Sequence, residues 1–216
     1  ALPIGPDLPI PLIPTQALSD LVRTRLLLAN GGIWVDASLF PVRPLDGWLP
    51  GVLGESGFFA FERPGPDRII SSWFLVATPA NLLIRELWNE AARYWSKPRH
   101  LVEGTPTDPV RTVSPDEASE TDTYPYFWLH YLFQYVVETN AAASALWAQT
   151  KRMDAEPPHR LQFLFAGDDH RDSSAMLEAA CAAPVQKLNW RASYPIDVLA
   201  SLDPRCQGDR GPPKKS

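Results

Sequence analysis

Apolar residues recur at helical spacing through Ala17, Leu18, Leu21, Val22 and Leu28, a period that predicts a helix with one buried stripe. Thr15 is placed to cap its start. Asn30-Gly31-Gly32 is placed to end it, because glycine adopts the left-handed conformation that stops a helix without steric cost. Ile33-Trp34-Val35, β-branched and aromatic, reads as a short buried strand with Asp36 at its carboxyl end. Residues 58–61 and 69–77 predict two further strands, and the nearly continuous apolar character of the second places it inside a sheet. Residues 80–95 predict an amphipathic helix with Leu83, Leu87 and Tyr94 on one face. A strongly aromatic helix follows over 126–138, then a second helical piece through Trp147, a short helix over 173–183 and a last strand over 185–190.

Proline sharpens this pattern. There are 23 in 216 residues, roughly twice the average share. Because proline excludes helix interiors, the proline-free windows 15–40, 80–97, 126–156 and 159–183 mark where regular structure can lie. Residues 1–14 hold five prolines and read as an extended lead-in. Residues 101–123, rich in Pro, Thr, Asp and Glu without an apolar period, read as a mobile surface loop of the kind that opens and closes a site. Residues 203–216 are polar and rich in glycine and proline, and read as a disordered tail. Length and pattern together predict one domain over 1–202.

Composition narrows the classes. Hydrophobic residues make up 45% and charged residues 21%, enough apolar material for a real core and too little charge for a disordered chain. The net charge is -5, and the densest basic run is Lys214-Lys215 at the very end, which argues against nucleic acid as a partner. Cys181 and Cys206 could pair, but two cysteines make no disulfide framework and no zinc pattern, so a reducing compartment is expected. The most apolar stretch, 126–137, is too short to span a bilayer and contains His130 and Gln134. No signal-peptide order opens the sequence, and the chain is expected to be soluble, without a transmembrane segment.

The sharpest candidate chemistry lies in Ser19-Asp20-Leu21-Val22-Arg23 and Gly31-Gly32-Ile33-Trp34-Val35-Asp36-Ala37-Ser38. On a helix, Asp20 and Arg23 are three apart and share a face. Asp36 ends a strand, where ligands bind in open α/β sheets. Residue types alone leave two readings open: a ligand site, or a surface ion pair beside a strand-end carboxylate that starts a turn. Ser71-Ser72-Trp73 closes the 69–77 strand and offers a hydroxyl and an indole to a sugar or phosphate, unless Trp73 is core. His130 sits in the aromatic helix, and His159 on a proline-shaped turn at Pro157-Pro158. Asp122 is either an acceptor-side base or a helix cap. Asp168-Asp169-His170 and Asp172 read as a charged, solvated loop.

Beyond these residues, the chain resembles the capsular polysaccharide synthesis protein family, a branch of the DXD-type glycosyltransferases. The resemblance runs through S-D-L-V-R, L-L-L-A-N-G-G-I-W-V-D-A-S at 26–38, S-S-W-F at 71–74, Y-F-W-L-H-Y-L-F at 126–133 and P-V-Q-K-L-N-W at 184–190. It implies an α/β, GT-A-like fold: a Rossmann-type mixed sheet flanked by helices. Only eighteen residues precede Ser19, so the N-terminal nucleotide-binding strand of that fold is expected to be missing. The resemblance further implies sugar transfer from a nucleotide-sugar donor to a glycan or lipid-linked glycan in polysaccharide biosynthesis, with retention of configuration. Asp20, Arg23, Gly31, Gly32, Asp36, Ser72 and Trp73 would bind the donor, with Asp20, Arg23 and Asp36 at the catalytic centre. His130, His159 and Asp122 would lie toward the acceptor or phosphate. Asp36 and Ser38 would hold Mn²⁺ or Mg²⁺, and Ser38 departs from the second acid of the motif. The implied setting is the cytoplasm, at the inner face of the membrane by peripheral association. The other expectation is a truncated or non-catalytic relative that binds glycan or a protein partner.

Overall fold

A computed structural model describes residues 8–166 and 173–194. In chain order the elements are α1 (Thr15–Asn30), β1 (Gly32–Val35), β2 (Leu39–Pro41), α2 (Leu49–Leu53), β3 (Phe58–Glu62), β4 (Phe74–Ala77), α3 (Leu82–Tyr94), β5 (His100–Val102), α4 (Pro109–Val113), β6 (Thr123–Pro125), α5 (Trp128–Thr139), α6 (Ala141–Gln149), β7 (Met153–Asp154), α7 (Glu156–Ala166), α8 (Ser173–Cys181) and β8 (Val185–Lys187). This is a mixed α/β fold whose largest sheet has four strands in the order β1-β4-β3-β7. Two small sheets pair β2 with β8 and β5 with β6. The chain divides into two compact units, one of Ala1–Trp34 with Leu53–Met153 and the other of Val35–Val52 with Asp154–Ser216.

In the first unit, β3 and β4 pair antiparallel with Phe58 opposite Ala77 and Ala60 opposite Leu75. Both are interior strands and buried almost throughout, which is why their sequences run apolar without alternation. Aromatic rings fill the space between this sheet and the helices. Phe58 stacks on Phe133 at 5.7 Å, and Tyr94 stacks on Trp128 at 5.8 Å. The strongly aromatic helix expected from sequence is α5, and its buried face of Trp128, Leu129, Tyr131, Leu132, Phe133 and Val136 accounts for that composition.

Several expectations change. α1 begins after Pro14 rather than at a Thr15 cap; Pro14 stands at the N-cap and Thr15 is the first helical residue. β1 is an edge strand with Ile33 and Val35 exposed at 40% and 45%, so only one face of an expected buried strand is covered. The strand expected over 69–77 forms only at its second half, and Ser71-Ser72-Trp73 leads into β4 instead of closing it. Ser71 N–H donates to the Phe61 carbonyl at 2.7 Å just outside the ladder.

The segment 101–123, expected as a loop, carries β5, α4 and a 3₁₀ turn at Glu117–Glu120, and β6 follows directly. Its order comes from Arg99, 3% exposed. The Arg99 guanidinium donates to the carbonyls of Tyr94, Ala118, Thr121 and Thr123 at 2.7 to 3.4 Å and lies 3.9 Å over the Tyr94 ring. One buried side chain thus ties together carbonyls from the end of α3, the 3₁₀ turn and its C-cap, and β6.

The second unit is organised by Gln186, fully buried on β8. Its Oε1 accepts from Leu161 N–H at 3.2 Å, and its Nε2 donates to the carbonyls of Pro157, Ala179 and Ala180 at 3.0 to 3.2 Å. One amide therefore joins α7 and α8 to the β2–β8 pair. Around it pack Val42, Leu161, Ala179 and Ala180, with Phe40, Leu164 and Tyr194 at the margin.

Cys181 is disulfide-bonded. Cys206, the expected tail, residues 1–7 of the lead-in, and the acidic set Asp168-Asp169-His170 and Asp172 lie outside the described residues. Among the described residues no helix is long and apolar enough to cross a membrane.

Candidate functional site

The sequence-derived candidates fall in both units, and each group has its own geometry. In the first unit, Asp20 and Arg23 sit on α1 and are 7% and 6% exposed, so they form a buried pair instead of a surface one. Arg23 Nη2 lies 3.2 Å from Asp20 Oδ1. Arg23 Nη1 donates to the Ser72 carbonyl at 2.8 Å, and the guanidinium stands 5.1 Å over the Trp34 ring. The three-residue spacing therefore places a neutralised ion pair between α1, the approach to β4 and β1. Ser72 enters this arrangement through its backbone. Trp73 is core: 6% exposed and stacked on Phe61 at 4.9 Å.

Gly31 and Gly32 close α1 with φ of +64° and +98°. A Cβ at Gly31 would meet Pro79 N and Cδ at 2.6 Å, so the close approach of the α1 terminus to the end of β4 demands glycine there.

His130 lies on α5 near the same cluster. Burial first, and then the positive charges of Arg68 and Arg23, push its pKa down to about 3, so the imidazole is neutral at physiological pH. Arg68 is paired with Asp67 at 3.0 Å and lies 3.7 Å over the Phe127 ring. Tyr131 donates its hydroxyl to Asp67 Oδ2 at 2.5 Å. Burial and this bond raise the Tyr131 pKa to about 12. Residue order gave no hint of the Asp67–Arg68–Tyr131 network, because its members are 64 positions apart in the chain.

Asp122 neither caps α5 nor precedes it directly. β6 intervenes, Phe127 is the N-cap, and Asp122 is exposed with its carbonyl accepting from His100 N–H at 2.7 Å. A cavity of about 280 Å³ opens beside β6, lined by Thr105, Thr107, Thr112, Thr123 and Tyr124 among others.

The second unit holds Asp36, Ser38 and His159. Asp36 follows β1 and starts the turn into β2, with Leu39 N–H donating to its carbonyl at 3.0 Å. Aspartate is favoured at that first turn position. Its side chain keeps 31% exposure.

His159 is not on a turn. It is helical, in α7, because Pro157 and Pro158 occupy the first helical turn, where a missing N–H costs no hydrogen bond. Its Nδ1 donates to the Ala155 carbonyl at 2.6 Å, and its ring stacks on Phe163 at 5.9 Å.

Lys187, which sequence reasoning did not single out, stands with the Asp36 turn. Its Nζ donates to Ser38 Oγ and lies 3.7 Å from Asp36 Oδ2. This geometry tests the expected cation. Mg²⁺ and Mn²⁺ want several oxygen ligands with carboxylates among them. Here one carboxylate and one hydroxyl already face an ammonium, and no group of three or more His, Cys, Asp or Glu able to hold a metal occurs among the described residues. Two unit charges ~4 Å apart interact by about 4 kcal/mol at an effective dielectric of 20, and a divalent ion beside Lys187 would face roughly twice that repulsion. Asp36, Ser38 and Lys187 do not fit a divalent cation.

Comparison with known proteins gives one finding. A family model, capsular polysaccharide synthesis protein, matches residues 8–103. The match spans Asp20, Arg23, Asp36, Ser38 and Ser71-Ser72-Trp73; the 126–133 and 184–190 segments lie beyond it. No curated protein and no solved structure is matched by the chain.

Proposed function

We propose, on the premise that residues 8–103 belong to the capsular polysaccharide synthesis protein family, that this chain is a glycosyltransferase. It would move a sugar from a nucleotide-sugar donor to a glycan or lipid-linked glycan. The observation that carries the reading is the family match across Asp36, a carboxylate still one-third exposed at the carboxyl end of a sheet strand.

In this reading Asp36 accepts hydrogen bonds from the donor's ribose hydroxyls and so orients the nucleotide for departure. Asp20 and Arg23 act as positioning residues: their buried pair fixes the Ser72 backbone and the Trp34 ring. A retaining transfer, in which leaving group and acceptor share one face, needs no side-chain base. His130, neutral and half-buried, is then part of the scaffold.

Calorimetric titration of the chain with nucleoside diphosphates tests this. Binding by the wild type that is lost in Asp36→Asn supports the donor site. Equal binding by both proteins removes Asp36 from it, and no binding by the folded wild type overturns the donor site altogether. A second reading, a domain that binds glycan or a partner without turnover, is supported by one observation: Asp20 and Arg23 neutralise each other below the surface.

A further inference from the structure

The turn that carries Asp36 holds an ammonium in the place where a divalent cation was expected. Lys187 lies on β8, whose antiparallel register sets it opposite Leu39. Two backbone bonds fix the neighbourhood: Leu188 N–H donates to the Ser38 carbonyl at 2.9 Å, and Leu39 N–H to the Asp36 carbonyl at 3.0 Å. From that position Nζ reaches Ser38 Oγ and approaches Asp36 Oδ2 to 3.7 Å. The side chains of Lys187 and Asp36 are 17% and 31% exposed, so neither is sealed in the core.

Building on the donor-site reading above, we infer that Lys187 takes the role of the divalent cation: its ammonium holds the diphosphate of the donor, and binding at this turn needs neither Mg²⁺ nor Mn²⁺. Donor and acceptor chemistry divides the work. An ammonium only donates and a carboxylate only accepts, so phosphate oxygens go to Lys187 and ribose hydroxyls to Asp36. Ser38, the departure from the acidic motif, is what this arrangement requires: its hydroxyl accepts from the ammonium without adding a second negative charge beside the phosphates. The 3.7 Å separation from Asp36 is an ion pair beyond hydrogen-bond reach. The ammonium can turn toward a phosphate without breaking a hydrogen bond to that carboxylate.

Titrating the full chain with UDP, GDP and ADP in EDTA, and again in excess Mn²⁺, tests the inference. One diphosphate should bind alike in both conditions. Lys187→Met should weaken it by about tenfold or more, while affinity for the matching nucleoside, which lacks phosphates, stays unchanged. A merely structural role would lower both. Lys187→Arg, which keeps the charge if Met disturbs the fold, should retain binding in EDTA. Binding that appears only with Mn²⁺ overturns the inference and leaves the donor site standing. No diphosphate bound in either condition overturns the donor-site reading and this inference with it.

Discussion

The two acid–base pairs of the candidate site are unlike in surroundings, and the contrast separates support from contact. Asp20 and Arg23 are buried, with side chains 10% and 8% exposed; Arg23 Nη2 meets Asp20 Oδ1, Nη1 donates to the Ser72 carbonyl and the guanidinium stands over the Trp34 ring. Asp36 and Lys187 stand farther apart at a turn, 31% and 17% exposed. A buried charge is held by its partner and is costly to orphan. A part-exposed one contributes little to stability and is accessible to a ligand. Similar residue types thus do different work.

Breaking the buried pair gives the largest expected effect. Arg23→Ala removes the buried ion pair with Asp20 and the tie to Ser72, and should lower unfolding stability by about 3–5 kcal/mol in a denaturant titration. A double-mutant cycle with Asp20→Ala should show strong coupling, the double variant recovering part of the loss. Additive losses would mean that the pair is not the reason these residues are buried.

Next in size is the polar centre of the second unit. Gln186→Leu keeps the volume but removes four hydrogen bonds, to Leu161, Pro157, Ala179 and Ala180, from a fully buried position. The expected loss is about 2–3 kcal/mol. If the second unit tolerated leucine with no change in melting, its helices would have to be held by apolar contact alone.

A pH titration of stability reads the first unit. His130 has its folded pKa lowered to about 3 from an ordinary 6.5, so between these values the unfolded chain binds the proton and the folded chain does not. Stability should therefore fall as pH drops through that window, by up to about 1.4 kcal/mol per pH unit, and be fully present above it. His130→Phe should flatten this slope. An unchanged slope would assign it to other groups, with Asp67 foremost, since its lowered pKa acts in the same direction.

How much of this was legible in the sequence follows from the range of each interaction. α1, its glycine stop, β3 and α5 were readable because periodicity and φ preference are local. Arg99 and Gln186 were not: what each does depends on carbonyls between 5 and 29 residues away that only the fold assembles. The proline pair before His159 misled because proline breaks a helix interior but suits a first turn. Asp36 was legible as a strand-end carboxylate. Lys187 was not, because its place beside Ser38, 149 positions away, is set by the β2–β8 register.

The smallest stability effect is expected where the largest binding effect is. Asp36→Asn keeps volume and turn geometry, and asparagine is equally at home in the first position of the turn. The ion pair it removes spans 3.7 Å and is part-exposed, while Lys187 keeps its bond to Ser38. Unfolding stability should move by no more than about 0.5 kcal/mol, against the several kcal/mol of Arg23→Ala. Nucleotide affinity should move the other way round: a clear loss in Asp36→Asn, where the ribose loses its acceptor charge. In Arg23→Ala, assayed well below its melting temperature, the loss should be smaller, because that residue acts through the frame. If Asp36→Asn proved as destabilising as Arg23→Ala, the turn carboxylate would be structural after all, and the division between a supporting pair and a contacting pair would fail.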